Sequence, residues 1–499
     1  MKRLHKNYPG GTRRSGVALL GALAFVACRV PIDDQLWQCA SSADCGAGWQ
    51  CDPTARVCVE AFNNGMSGVY DDRLVIGMTA YLSQDIAALA AISAQGIAGI
   101  EAYFQHVNST GGIHGRRLEL LKVEDNFNPQ QTAANVAQFA SSGGAGSAFV
   151  VCNTLGEAPS VAAAGVAIEE KIILWSPGTG LGSLEPDPPS RYVFNYRPRY
   201  SDESRQLTAY LINNFEPSTP AGNIAVLAQG FDFNGSVDGS GGDVITGVAD
   251  ALGIQRDAVF YASYVLGNPA ADEPARRILQ WMADESRTVV DGKRYVGLVL
   301  GSVFDAGSGF IKLVSDHLSA ARLGQPLPLF GDALSPEAVA RLATVELRLT
   351  AHSAINTEAV RATLGSFGTY PWLDDQGQPS QRTYGAGLII SQVVPLATLN
   401  SSGALRYREH LAAFDPDAIP GEFSLESYLN MWMLGEALQA HGRDLTTETF
   451  IETLEDFSTD LGVGTMLGFS LGSHQATDRV WGLRLSDQLQ TEWLGLLEP

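Results

Sequence analysis

The sequence predicts an α/β protein of two similar lobes, each a parallel sheet covered by helices on both faces, behind a small cysteine-rich segment. Short apolar runs alternate with stretches of helical periodicity, the pattern of repeated β-α-β units whose parallel strands are buried on both sides. That rhythm then restarts, giving two series of about equal size and hence two lobes. Four cysteines crowded at Cys39, Cys45, Cys51 and Cys58 predict the segment in front.

The first series opens with a strand over Leu74 to Thr79, a helix over Ile86 to Val107 and a turn at Gly111-Gly112-Ile113-His114-Gly115. Strands follow at Leu118 to Val123, Ala148 to Cys152 and Ile172 to Trp175, separated by helices over Gln130 to Phe139 and Ser160 to Glu169. The second series has strands at Ile224 to Leu227, Val259 to Tyr264, Tyr295 to Leu300 and Leu327 to Phe330. Its helices span Val244 to Leu252, Glu273 to Ser286 and Ala306 to Leu323. Residues 335–383 are less regular and rich in turns, and are expected to be an insertion. A strand at Leu388 to Val394 and helices at Leu405 to Ala413, Leu425 to Ala440 and Thr447 to Phe457 complete the pattern.

Composition narrows the function. A chain of 499 residues has room for two or three domains, and 45% hydrophobic residues supply a core. With 54 acidic against 33 basic residues the net charge is −21, a field that repels phosphate backbones, so nucleic acid is not an expected partner.

The first residues differ from the rest. Lys2, Arg3, Lys6, Arg13 and Arg14 precede an apolar run from Val17 to Ala27 that ends at Cys28. A charged region, a short apolar region and small residues before a cleavage point describe an export signal over residues 1–28. Phe25-Val26-Ala27-Cys28 resembles a bacterial lipobox, with Phe25 where that motif prefers Leu. The resemblance implies that Cys28 carries a lipid and tethers the protein to a membrane on the periplasmic or cell-surface side. Arg29 stands where an Asp often retains lipoproteins at the inner membrane, which favours the outer membrane. No later segment is expected to span a bilayer.

Residues 29–72 hold the four crowded cysteines and a linker. They include no Cys-x-x-Cys pair and have no histidine nearby, so a zinc site is disfavoured. In an exported segment they read as two disulfides, with three pairings open. Cys152, inside an apolar run, is expected to be an inert buried thiol.

Several blocks carry a family resemblance. Val75-Ile76-Gly77, the long helix, Asn108 and Gly111-Gly112-Ile113-His114-Gly115-Arg116 look like the opening of type I periplasmic binding proteins. Glu124-Asp125-Asn126-Phe127-Asn128-Pro129, Ile173-Leu174-Trp175-Ser176-Pro177-Gly178-Thr179, Ser201-Asp202 and Tyr428 to Gly442 fit later blocks of that family in the right order. The similarity is to the Leu/Ile/Val-binding branch, whose members feed ABC importers and also serve as amide and aromatic-acid sensors. The resemblance implies two Rossmann-like lobes joined by a multi-crossover hinge. Residues 73–200 with 388–462 would form one lobe, and residues 201–387 with 463–499 the other. It further implies a small polar solute, amino-acid-like, amide or carboxylate, held beyond the carboxyl ends of the strands, where helix N-termini attract anions.

The resemblance places candidate ligand contacts in six segments. Leu155, Gly156, Glu157 and Ala158 follow one strand, and amino-acid-binding relatives have Ser or Thr near Glu157. A carboxylate there would repel an anion and prefer an amine or hydroxyl; otherwise it is a helix-end acid. Gly178 and Thr179 would present an alcohol and backbone N–H groups, unless they only make a Pro-Gly turn. Asp202 resembles the acid that holds a ligand ammonium, and equally suits a helix cap. In the second lobe Phe233 stands where the family stacks a Tyr, and Phe304 and Asp332 follow strands.

An enzyme is the remote alternative. Gly468-Phe469-Ser470-Leu471-Gly472 matches the G-x-S-x-G nucleophile elbow of serine hydrolases, but only His474 follows it, with no acid between. Neither His-Glu-x-x-His nor a phosphate-binding Gly-rich loop occurs. The chain is therefore expected to be no enzyme and to need no cofactor or metal. Its expected partners are a solute, ABC permease subunits and the membrane. A lipid-anchored sensor or scaffold without transport remains the alternative reading.

Overall fold

The computed structural model describes residues 39–45, 49–51, 56–60, 65–141, 146–230, 239–265, 271–331 and 333–497. The export signal with Cys28, and Phe233 and Asp332, lie outside the described residues.

The cysteine-rich segment is an antiparallel hairpin of β1 (Trp49–Cys51) and β2 (Cys58–Glu60). Of the three open pairings, it has Cys39–Cys51 and Cys45–Cys58. The Cys39, Cys45 and Cys58 sulfurs lie close together, but oxidised sulfur offers no thiolate to a metal. Each bridge closes a loop of 12 or 13 residues, which restrains a segment too small to bury a core.

The first lobe follows as β3 (Arg73–Ala80), α1 (Ala87–Ser109), β4 (Arg117–Glu124), α2 (Pro129–Ala140), β5 (Val150–Cys152), α3 (Glu157–Glu170), β6 (Ile173–Trp175) and β7 (Val193–Phe194). Its five strands are all parallel, in the order β4-β3-β5-β6-β7. Seven of the eight positions of β3 are buried, because helices cover both faces of the sheet. Helix α2 starts where Asn128 caps it, accepting from Gln130 N at 2.9 Å and Gln131 N at 3.0 Å, with Pro129 in the first turn.

The chain then crosses to α4 (Tyr200–Asn213), β8 (Ile224–Gly230), α5 (Gly239–Leu252), β9 (Tyr261–Val265), α6 (Asp272–Met282), β10 (Arg294–Gly301), α7 (Phe304–Arg322), α8 (Pro336–Leu342), β11 (Val345–Ala351), α9 (Thr357–Phe367), the hairpin β12 (Thr369–Leu373) and β13 (Pro379–Thr383), and β14 (Ile389–Gln392). It returns to the first lobe as α10 (Ser402–Phe414), α11 (Glu422–His441), α12 (Thr447–Leu454) and a short pair, β15 (Ser458–Thr459) with β16 (Leu467–Gly468). A last crossing leads to β17 (Trp481–Leu485) and β18 (Thr491–Leu496). The second sheet runs β18-β17-β14-β11-β10-β8-β9, parallel from β9 to β14, with the two final strands antiparallel at one edge.

Three crossings thus join the lobes, and two of them run side by side. Asn195 N donates to His474 O and Ala476 N to Asn195 O, each at 2.8 Å. Behind this ladder lies a buried ionic chain. Arg197 pairs with Glu426 on α11, with its Nε 3.0 Å from one carboxylate oxygen. Across the hinge, Glu203 on α4 is fully buried and accepts from the Ser353 N–H at 2.7 Å, the Ser353 hydroxyl at 2.9 Å and the Ser391 hydroxyl. The His352 ring sits 4.7 Å from that of Tyr200, and burial pushes its pKa down to about 3, so it is neutral.

The structure corrects four expectations. Leu327 to Phe330 form no strand; they make a turn closed by Phe330 N donating to Leu327 O at 3.0 Å, with both side chains in the core. Apolar burial alone mimicked a strand there. Residues 335–383 are not a detached insertion, for they supply β11, which pairs with β10 and β14 near the middle of the second sheet. Glu346 and Arg348 interrupt its apolar run, yet Glu346 pairs with Arg322 and Arg382, and Arg348 donates to Thr219 and Pro217. Within residues 335–383, the β12–β13 hairpin forms a separate two-stranded sheet. Residues 389–392 belong to the second sheet rather than the first lobe, whereas Val463, Leu467, Phe469 and Ala476 pack into the first lobe's core. Finally, α1 has 23 residues and is long and apolar enough to cross a membrane by length and composition. It packs instead against α10 and α11, and a Cβ at Gly99 would stand 2.1 Å from Ser424 O.

Candidate functional site

In a parallel sheet the loops beyond the carboxyl ends of the strands lead into helix N-termini, whose unpaired N–H groups and positive dipole end attract polar ligands. The two lobes meet at such ends. The loop after β5 turns through Gly156, at φ +89°, which caps α3 without a side-chain hydrogen bond. A Cβ on Gly156 would stand 2.6 Å from the Phe127 ring, so this aromatic face lies directly on the loop. Leu155 bridges to Gly178, and Gly178 N donates to Thr154 O at 2.7 Å, which locks the loops after β5 and β6 together.

Glu157, in the first turn of α3, reaches into the other lobe. Its carboxylate accepts from Ser240 N, at the start of α5, at 3.1 Å. Burial holds its pKa above the usual range, partly offset by the Ser240 N–H and hydroxyl. In the reverse direction, Asp243 on α5 accepts from Gly182 N at 2.7 Å, and burial pushes its pKa up to about 6. Beside them Glu185 is pushed up to about 8, again by burial, although Arg199 opposes the shift. The Tyr264 hydroxyl donates to Gln229 at 3.0 Å and accepts from Val303 N at 3.1 Å, tying the tips of β8, β9 and β10 together.

The other expected contacts divide. Thr179 is buried, with its hydroxyl 3.4 Å from that of Tyr200 at the hinge. Ala158 is exposed on the first turn of α3, and Phe304, half-buried, starts α7. Asp202 is occupied by its own chain. It accepts from Arg199 N at 3.1 Å and Gln475 Nε2 at 2.9 Å and pairs with Arg199 and Arg205, so it caps α4 and fastens the hinge. The structure therefore brings Leu155, Gly156, Glu157 and Gly178 together at the tips of β5 and β6 and sets Asp202 apart. Ser240, Asp243 and Gly182 were not foreseen. The run Gly239-Ser240-Gly241-Gly242 was the available signal, because small residues at a helix start admit close approach. At the tip of β5, Thr154 Oγ1 and Asn153 Oδ1 are buried without a partner among the described residues, and so keep hydrogen-bonding capacity to spare.

The elbow motif does not form a hydrolase site. Ser470 lies in a tight turn closed by mutual hydrogen bonds with Ser473 at 2.8 and 3.0 Å, and α-helix does not follow it. The His474 ring contacts the Ser190 and Val193 carbonyls and stacks on Phe194 at 3.9 Å. A nucleophile elbow needs a strand, a sharp turn and a helix.

Two mostly parallel sheets whose strand tips meet, joined by three hinge crossings, define a two-lobed binding-protein fold. Residues 74–312 match the family model described as periplasmic binding protein. Among solved structures, a possible leucine/isoleucine/valine-binding protein from Rhodopirellula baltica is similar at 18% identity and TM-score 0.63, over 84% of this chain and 96% of that one. A substrate-binding periplasmic protein from Ralstonia solanacearum is similar at 19% identity and TM-score 0.60, over 84% and 99%. A fatty acid ABC transporter substrate-binding protein from Thermomonospora curvata is similar at 14% identity and TM-score 0.61, over 88% and 94%. At these identities the likeness is one of fold. No curated protein matches the chain.

Proposed function

We propose that the protein is an extracytoplasmic solute-binding protein that closes its lobes around a small polar ligand and presents it to an ABC importer. The observation that carries this reading is the meeting of α3 and α5 through Glu157 and Ser240 at the strand tips of both lobes. A ligand touching both sides of such a gap favours the closed form, whereas one touching a single side shifts nothing. Leu155, Gly156, Glu157, Ala158, Gly178 and Thr179 would serve from the first lobe, and Phe304 with Phe233 and Asp332 from the second. The similarity to proteins named for leucine/isoleucine/valine and fatty acid binding supports a carboxylate-bearing or amino-acid-like solute. A thermal-shift screen of amino acids, amides, aromatic acids and short polyols tests it, because a true ligand raises the melting temperature by mass action. A screen in which no solute moves the transition while a protein partner does would replace transport with scaffolding.

We also propose that Cys28 bears a lipid anchor, with the outer membrane as its destination. Cys28→Ala is expected to move the protein from the membrane to the soluble fraction on fractionation. Unchanged membrane association would defeat the anchor.

A further inference from the structure

The strand tips of the two lobes are bridged twice, once from each lobe. Glu157 of the first lobe accepts from Ser240 N at 3.1 Å, and Asp243 of the second accepts from Gly182 N at 2.7 Å. Ser240 and Asp243 both belong to the opening of α5, so a single helix end is gripped in both directions. Helix N-termini carry unsatisfied N–H groups and the positive end of the dipole, and an anionic ligand group is a natural occupant. Here the chain supplies a carboxylate of its own. The approach at Gly182 is close, since a Cβ there would stand 3.0 Å from Asp243 Oδ1. Arg199 and Arg256 attract the Asp243 carboxylate, and Glu157 repels it. Both groups are half-buried, so their hydrogen bonds are made in a medium where they count for more than at the open surface.

We propose that Glu157 and Asp243 form a reciprocal clasp that holds the cleft shut with no solute inside, so that an incoming solute must first release Glu157 from the N-terminus of α5. This goes beyond the solute-binding reading, because the closure it describes needs no solute. The resting protein is then mostly closed, and the apparent affinity for any solute is scaled by the fraction that is open.

The test uses the full chain with spin labels at Gln130→Cys on α2 and Glu273→Cys on α6. Both sites are exposed, and they lie near the N-terminal ends of helices that follow the edge strands of opposite lobes. Cys152 is fully buried, the four cysteines of the front segment are paired and Cys28 is replaced by Ser, so labelling is directed to the new thiols. Pulsed dipolar spectroscopy without added solute is expected to give one short distance for the otherwise unaltered chain. Glu157→Ala with Asp243→Ala is expected to shift it to a longer and broader distribution. Asp243→Asn, which keeps the side-chain shape, is expected to fall between the two. Glu169→Gln, exposed on the same helix as Glu157, is expected to change nothing. A double variant with the unaltered distribution, or an unaltered chain already at the long distance, overturns the clasp. Because the readout needs no ligand, its failure is distinguishable from an empty solute screen.

Discussion

Arg197→Met is expected to lower the free energy of unfolding by about 3–5 kcal/mol, because it strands a buried carboxylate. Arg197 is 7% exposed and Glu426 3%, and their Nη2–Oε2 contact of 3.1 Å joins the first crossing to α11 of the first lobe. Arg197 also lies within electrostatic reach of Glu203, whose remaining partners are Ser353 and Ser391 in the second lobe. Removing the guanidinium leaves two buried carboxylates, Glu203 and Glu426, without the cation that attracts both. Either one must protonate or the crossing must open. The double variant Arg197→Met, Glu426→Met is expected to recover part of the loss, since an apolar pair of similar size removes the buried charge. Urea denaturation followed by fluorescence and far-ultraviolet circular dichroism measures both. A single variant as stable as the unaltered chain would show that the pair is solvated and carries no weight at the hinge.

The second large effect is expected from Trp175→Ala, at about 3–5 kcal/mol, the cost of emptying a large buried aromatic site. Trp175 ends β6, directly before the loop that holds Gly178 and Thr179, and is fully buried. Its ring packs edge-on against Phe469 at 5.5 Å and beside Phe194 at 6.3 Å, and its Nε1 donates to Asn430 O at 3.0 Å. Three chain segments therefore converge on one side chain, namely β7, the segment after β16, and α11. Trp175→Phe keeps most of the packing and leaves the Asn430 carbonyl short of a donor, so its loss is expected to be smaller, about 1–3 kcal/mol. The same denaturation measurement ranks the two variants. Equal stability of Trp175→Ala and the unaltered chain would mean that the first lobe's core does not depend on this contact.

Much of this architecture is legible in the chain because parallel strands and their covering helices have different local periods. The runs at Val75-Ile76-Gly77 and Ala148 to Cys152 and the caps before α2 are local signals, and the structure follows them. Strand β11 was hidden because Glu346 and Arg348 break its apolar run, and only distant partners make those charges tolerable inside a sheet. The turn at Leu327 to Phe330 erred in the opposite direction, with burial that needs no ladder. At the site, Glu157 stood out as a departure from its relatives, but nothing near it in sequence pointed to Ser240, 83 residues away. Asp202 read equally well as ligand acid or cap, and its choice was made by Gln475 from the last crossing. Contacts of that range are fixed by how the lobes meet, which no local window encodes.

A solute that closes two lobes must be held by both at once. Amide hydrogen exchange, with and without the solute that gives the largest thermal shift, reads this directly. The expected result is slowed exchange in residues 153–158 and 176–180 of the first lobe together with residues 239–243 and 302–305 of the second. Protection confined to one lobe, or to neither set of loops, would contradict a solute held by both lobes.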